Sequence, residues 1–212
     1  MGEGKLSQQS RVLAILGAIL AAVFIWSLVR PHDYFTWLLE VLPAIIGIAI
    51  LAATYKRFRF STLVYALICV HAIILMIGGH YTYAEMPLFN WIRDTLGLSR
   101  NYYDRLGHFA QGFVPAMIAR EILLRTTPLR RGKLLFYIVV SICLAISALY
   151  ELIEWRAAVT FGASATAFLG TQGDPWDTQW DMTFALIGAI TAMLTMSHAH
   201  DRSMKAVTET AG

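Results

Sequence analysis

Charge is scarce in this chain, and so is cysteine. Of 212 residues only 15% are Asp, Glu, Lys or Arg, against about a quarter in ordinary soluble domains. The shortfall lies in long uncharged runs, which argues against a solvated globular surface over most of the sequence. Only two cysteines occur, Cys69 and Cys143, each inside an apolar run. With no Cys-x-x-Cys pair and no Cys/His zinc spacing, neither a disulfide framework nor a thiolate metal site is supported. Both cysteines read as small buried hydrophobes. Internal repeats, low-complexity linkers, a phosphate-binding loop, a dinucleotide fingerprint and a nucleophile motif are also missing. The net charge of +3 comes from short basic clusters between apolar runs. Nucleic acid is therefore not an expected partner.

What the chain has instead is hydrocarbon: 57% of its residues are hydrophobic. A membrane-spanning helix needs about 20 apolar residues, and runs of that kind lie near 11–29, 35–54, 62–79, 105–124, 134–153 and 182–198. The expected fold class is all-α, a polytopic membrane bundle of about six transmembrane helices. The whole chain, 1–212, is expected to form one integral membrane domain. Residues 1–80 hold the first three helices, 81–103 an outer loop, 104–198 the last three helices and 199–212 a tail. The first run resembles a signal peptide in its flanking Lys5 and Arg11, but it is long and lacks a small-residue cleavage site, so it reads as retained.

Orientation follows from the basic residues. Lys56, Arg57 and Arg59, then Arg125, Arg130, Arg131 and Lys133, and Arg202 and Lys205 near the chain's end, all share one side with Lys5 and Arg11. The positive-inside rule makes that side, and both termini, cytoplasmic. All six tryptophans then fall near the opposite face, where indoles favour the interface. The stretch 80–103 there reads as a loop carrying a short interfacial helix. The stretch 157–180, with its small residues, reads as a re-entrant or surface-lying segment.

Ionisable residues gather at that outer face. Asp104 and His108 are four apart at the start of the fourth run, Glu151 and Glu154 three apart at the end of the fifth, and Asp177 and Asp181 four apart entering the sixth. These spacings put each pair on one helical face. Three pairs from distant sequence thus meet at one depth, forming an acidic pocket with Gln111 one turn deeper than His108. Carboxylates and an imidazole out of water must be paired, protonated or metal-bound. Oxygen ligands with one histidine suit Mg²⁺ or Mn²⁺, and Zn²⁺ also fits. His108, Glu151, Glu154 and Asp181 are the expected metal ligands. The catalytic candidates are those four with Asp104 and Asp177.

The bland reading uses the same residues. Arg105 and Arg156 neutralise two carboxylates, and the others cap helix ends or sit in interfacial water. The stretch GTQGDPWDTQWDM (170–182) supplies Gln172 and Asp174 as candidate substrate contacts beside Arg105 and Gln111; its alternative is an ordinary turn with an Asp N-cap. Single residues carry less. His71 lies near mid-membrane as a proton relay or a core histidine. His32, Asp33 and His80 join the pocket or stay wet. Arg120 and Glu121 form an inner ion pair, and His198 and His200 are tail residues without an assigned role.

The strings YDRLGHFAQGFVPAMIAREILLR, SALYELIEW and FLGTQGDPWDTQWDM resemble the bacterial YjdF-like inner-membrane proteins, a family defined as a domain of unknown function, over roughly 85–190. A more distant layout is similar to VanZ-like membrane proteins, implicated in glycopeptide resistance. Asp104-Arg105-x-x-His108-Phe109 stands where they have Asp-Lys-x-x-His-Phe, Glu151-x-x-Glu154 where they have Glu-x-x-Gln, and Asp177 and Asp181 for their spaced aspartates. The resemblance implies a shared scaffold and pocket, without a reaction.

Three functions compete. An enzyme would hold a divalent ion and hydrolyse or transfer a lipid headgroup or lipid-linked envelope intermediate, with Arg105 steadying a phosphate. A transporter needs polar groups near the midplane, where His71 lies, and Gly112 and Pro115 would break the fourth helix. A non-catalytic membrane partner would use the outer polar surface for docking, or pack as a homo-oligomer through Gly17, Gly47, Ala49 and Gly188.

Overall fold

The computed structural model describes residues 2–162 and 166–208, and no strand occurs among the described residues. The long helices are α1 (Gly2–Leu28), α2 (Tyr34–Thr54), α3 (Thr62–Tyr81), α5 (Tyr103–Thr126), α6 (Lys133–Phe161) and α8 (Asp177–Thr195). Shorter ones are α4 (Pro87–Leu96), α7 (Thr166–Leu169) and α9 (Ser197–Thr208). All six apolar runs of the sequence form helix, and α6 continues about two turns beyond its expected end, to Phe161.

Length and hydropathy make α1, α2, α3 and α6 membrane-spanning candidates, four in all, or five if the bent pair α8–α9 counts as one. The expected six is not reached on composition because α5 carries Asp104, Arg105, His108, Arg120, Glu121 and Arg125 along its 24 residues. Of these six, all but Arg125 are buried against the neighbouring helices. An interior helix tolerates charge that a lipid-facing one does not.

The bundle has two distinct ends. At one, His32 N–H donates to the His80 carbonyl at 2.9 Å and Trp37 Nε1–H to Ser27 Oγ at 3.2 Å, joining α1, α2 and α3. All six tryptophans lie towards this aromatic end. Five are exposed, but Trp37 is only 6% exposed and belongs to the core, a departure from the expected interfacial belt. At the other, basic end, Gln9 Nε2 donates to the Phe60 carbonyl at 3.0 Å and Arg125 to the Arg59 carbonyl at 2.5 Å. Cys69 and Cys143 are free and buried, as expected.

The helix anticipated within 80–103 is α4. Pro87 sits in its first turn, Gly97 closes it in the left-handed conformation at φ 64°, and none of its residues is buried, as befits a surface helix with N-terminal Pro and C-terminal Gly. Of the segment anticipated as re-entrant, α6 takes the first part and the single turn α7 the second; residues 163–165 lie outside the described ones.

The tightest packing joins α5 to α8. A side chain on Gly112 would overlap the backbone of Ala185, and one on Gly188 would overlap the backbone of Phe109. With no Cβ at either crossing, the two backbones touch, the small-residue contact that membrane helices favour. Gly188 is thus committed inside the bundle, whereas Gly17 and Gly47 face open space. This seam brings Asp104, Arg105 and His108 on α5 beside Asp177 and Asp181 on α8.

Candidate functional site

Asp104 and Arg105 stand in the first turn of α5, with His108 one turn further on. Asp177 opens α8 and Asp181 follows one turn later. Glu151 and Glu154 come from the last third of α6. All of them are buried, so the three pairs meet at the aromatic end of the bundle.

His108 Nε2 is the centre of the group. Asp104 Oδ1 lies 3.5 Å away, Asp181 Oδ1 3.6 Å and Glu151 Oε1 3.7 Å. One ligand atom each from Asp104, His108 and Asp181 fall within 4.8 Å of one another. Glu151 Oε1 is buried and has no hydrogen-bond partner. The residues placed to hold an ion are thus Asp104, His108 and Asp181; of the expected ligands, Glu151 adjoins them through His108, and Glu154 lies in a neighbouring cavity.

Two guanidinium groups brace the wall. Arg105 binds Asp181 through a short contact and Asp177 at 2.6 Å, and it reaches Asp174 at 3.4 Å. Arg100 binds Asp177 at 2.5 Å and donates to the Gly170 carbonyl at 3.0 Å. Gly170 has φ +61°, and a side chain there would meet the Asp104 carboxylate; glycine lets the loop approach so closely. Asp177 is thereby committed to the two arginines, and Asp174 caps the turn by accepting from Trp176 N–H at 2.9 Å. Arg156, expected as a counter-ion, is exposed, and Arg100 takes that part.

Gln172 clasps the loop. Its Oε1 accepts from Asn101 N–H and its Nε2 donates to the Asn101 carbonyl, both at 2.9 Å. Both ends of its amide are occupied, so the placement favours a structural part over substrate contact.

Beside the ligand group lies a cavity of 220 Å³ lined by Glu40, Asp104, His108, Gln111, Tyr150 and Glu154, among others. Gln111 is thus placed where its spacing from His108 predicts. His108 Nδ1 and the Tyr150 hydroxyl, both lining residues, are buried without partners, leaving hydrogen-bonding capacity for an occupant. Pro43 and Pro115 also line it. Each lacks an N–H and so removes one helical hydrogen bond at the cavity wall. Glu40 is 5% exposed and was not recognised from sequence; a lone glutamate in the run TWLLEVLPAII is a signal of its own, since an isolated intramembrane carboxyl is costly. His71 lines the cavity's deep edge. His32, Asp33 and His80 belong to the scaffold: His32 N–H ties the α1–α2 loop to the His80 carbonyl of α3, the His80 ring meets the Ser27 carbonyl of α1 at 3.0 Å, and Asp33 caps α2 by accepting from Thr36 N–H at 2.7 Å.

In all, seven carboxyl groups (Glu40, Asp104, Glu151, Glu154, Asp174, Asp177 and Asp181) face two guanidinium groups and two imidazoles, His108 and His71. Protons or a cation must balance the excess.

A family model described as "Predicted membrane protein (DUF2238)" matches residues 12–202. The chain belongs to this family. It is also 50% identical over 186 residues to a protein named "Inner membrane protein YjdF" from Escherichia coli (strain K12), covering 88% of this chain and 89% of that one. No solved structure matches. The protein is a multi-pass inner-membrane protein of an uncharacterised family, and the YjdF-like resemblance is borne out. None of these findings connects it to VanZ-like proteins.

Proposed function

We propose that this is a metal-dependent membrane enzyme acting on a lipid headgroup at the outer leaflet, with both termini cytoplasmic. The carrying observation is the unpartnered Glu151 Oε1, buried 3.7 Å from His108 Nε2 beside Asp104 and Asp181. Separations of 3.5, 3.6 and 3.7 Å are long for hydrogen bonds. All three run from His108 Nε2, which makes that nitrogen the common neighbour of the carboxylates. A donor set of carboxylates with one imidazole suits Mn²⁺ or Zn²⁺, which Asp104, His108 and Asp181 would hold with Glu151 beside them.

Such an ion supplies a Lewis acid that acidifies water. Glu154, in the adjoining cavity, is the candidate proton carrier, and Arg105 orients Asp181. In hydrolysis, the water oxygen goes to the acyl or phosphoryl centre and its proton to the departing alcohol.

Elemental analysis of protein extracted in polymer nanodiscs and equilibrated with Zn²⁺, Mn²⁺ and Mg²⁺ tests the reading. About one ion per chain is expected in the wild type and less than a tenth of that in Glu151→Gln, with Asp94→Asn, an exposed carboxylate on α4, as a folded control that keeps its ion. Equal content in wild type and Glu151→Gln, or no ion in either, overturns it.

A further inference from the structure

A second cavity, of 460 Å³, runs along the membrane-facing side of α2. Its walls are apolar: Ala44 to Thr54 on α2, Ile68, Ala72 and Leu75 on α3, and Val114, Ile118 and Ile122 on α5. Ile50 and Ile122 on its rim are 56% and 40% exposed, so it opens sideways towards lipid. Gly47 lies in the wall with nothing within 4 Å of where a Cβ would stand, which keeps the trough open. Phe58 and Phe60, packed edge to face at 4.9 Å, close it at the basic end. At the other end it does not close. Pro43, His71 and Leu75 line both this trough and the 220 Å³ polar cavity, so the two spaces adjoin across a shared wall.

We propose that the trough holds the hydrocarbon chain of the substrate while the polar cavity holds its head, and that the substrate is a single-chain lipid with a small head, of the lysophospholipid kind. The identity of the head rests on the metal-site reading; the chain's berth does not. At about 30 Å³ per methylene, the share a water takes in the liquid, a space of 460 Å³ takes on the order of 15 methylenes. That is the volume of one fatty chain. By the same measure 220 Å³ takes about seven water-sized groups, enough for a phosphate with a short alcohol or amine and too little for a disaccharide or peptide. The span from Pro43 to Thr54 is about 16 Å by helical rise, the closed end at Phe58 and Phe60 setting a maximum chain length. The carboxyls of Glu40 and Glu154 favour a head that donates hydrogen bonds.

The test uses protein reconstituted in phosphatidylcholine vesicles and a lysophosphatidylethanolamine probe with a diazirine near the end of its chain. After irradiation, the expected crosslinks map to peptides holding Gly47, Ile118 and Ile122. Gly47→Trp, which fills the trough from an uncrowded position, should cut this labelling at least tenfold while metal content stays at the wild-type level. A two-chain phosphatidylethanolamine with the same diazirine should label these peptides no more than a tenth as much. Glu151→Gln should lose the ion yet keep chain labelling within twofold, so a failed metal site and a failed chain berth give different results. Labelling of Gly47→Trp equal to wild type, or equal labelling by the two-chain probe, overturns the proposal.

Discussion

Two buried polar clusters lie at opposite ends of α5, and they are finished differently. At the basic end Glu121 Oε1 accepts from Ser61 N–H at 2.8 Å and from Arg125 at 2.7 Å, while its Oε2 meets His200 Nε2 at 2.9 Å. Arg120 joins His200 Nδ1 at 3.0 Å and Asp201 at 2.7 Å, and Arg131 binds Asp201 at 2.8 Å. The named groups of Glu121 and His200 all have partners, and both residues are 0% exposed. At the aromatic end Glu151 Oε1, His108 Nδ1, Arg100 Nε and the Tyr150 hydroxyl have none. Burial is similar; satisfaction is not. A completed network holds helices together, here clamping α9 against α5 across the 67° bend after α8. An incomplete one is stable only if something else completes it.

Breaking the completed cluster should have the largest effect on stability. Glu121→Ala leaves Ser61 N–H, Arg125 and His200 short of a partner and should cost about 3–5 kcal/mol, the usual penalty for removing one member of a buried charged group. A fall in the thermal midpoint in nanodiscs measures this, and metal in the surviving folded fraction should be unchanged. An unaltered midpoint would erase the distinction between the two ends.

Next comes the α5–α8 seam. Gly112→Ala drives a methyl into the Ala185 backbone and should cost about 1–3 kcal/mol as overpacking. Because the seam aligns the ligand residues, bound metal should fall as well, a double loss that Glu121→Ala does not produce. Thermal unfolding and elemental analysis of one sample read both.

Glu151→Gln sharpens the comparison from the other side. It should cost less than about 1 kcal/mol in metal-free protein, because it removes surplus negative charge and leaves an amide oxygen for the Thr178 hydrogen bond. Unfolding with chelator present gives that number, and adding Zn²⁺ should raise the midpoint of the wild type only. A large metal-free loss would mean that the aromatic end is as structural as the basic one.

The smallest effect belongs to Asp33, which lies at the aromatic end but outside the site. Its carboxyl is held below the usual range by the Thr36 backbone N–H it accepts, with the Thr36 side chain adding to this and slight burial opposing it. A depressed folded value stabilises above the unfolded pKa of about 3.9 and is lost as pH falls through the folded value. Asp33→Ala should cost about 0.5–1 kcal/mol at pH 7, shrinking below pH 4, with no change in metal content.

Much of this was readable in sequence, and the omissions share a cause. Helix positions followed from apolar runs, and the meeting of Asp104, His108, Glu151 and Asp181 followed from three- and four-residue spacings combined with alternating direction. Periodicity is local, and so are helix faces. The identity of a counter-ion is not: Arg100 pairs with Asp177 across 77 positions, and His200 with Glu121 across 79. Nothing in the run GLSRN marks Arg100 over Arg156, and nothing in a polar tail marks His200 as core. Glu40 differs, since its lone charge within an apolar helix was visible and unused. The count of about six spans rested on apolar length alone, a measure that α5, with its interior charges, does not meet.

The glycine seam has a last consequence. Because main chain rests on main chain between Gly112 and Gly188, Asp104, His108 and Asp181 ride on one stiff frame, with no side-chain cushion to absorb a change in their spacing. On the proposed reading, an ion of the wrong radius would find no give in those three residues. Its discrimination would then rest on helix separation, at two positions that never touch the ion.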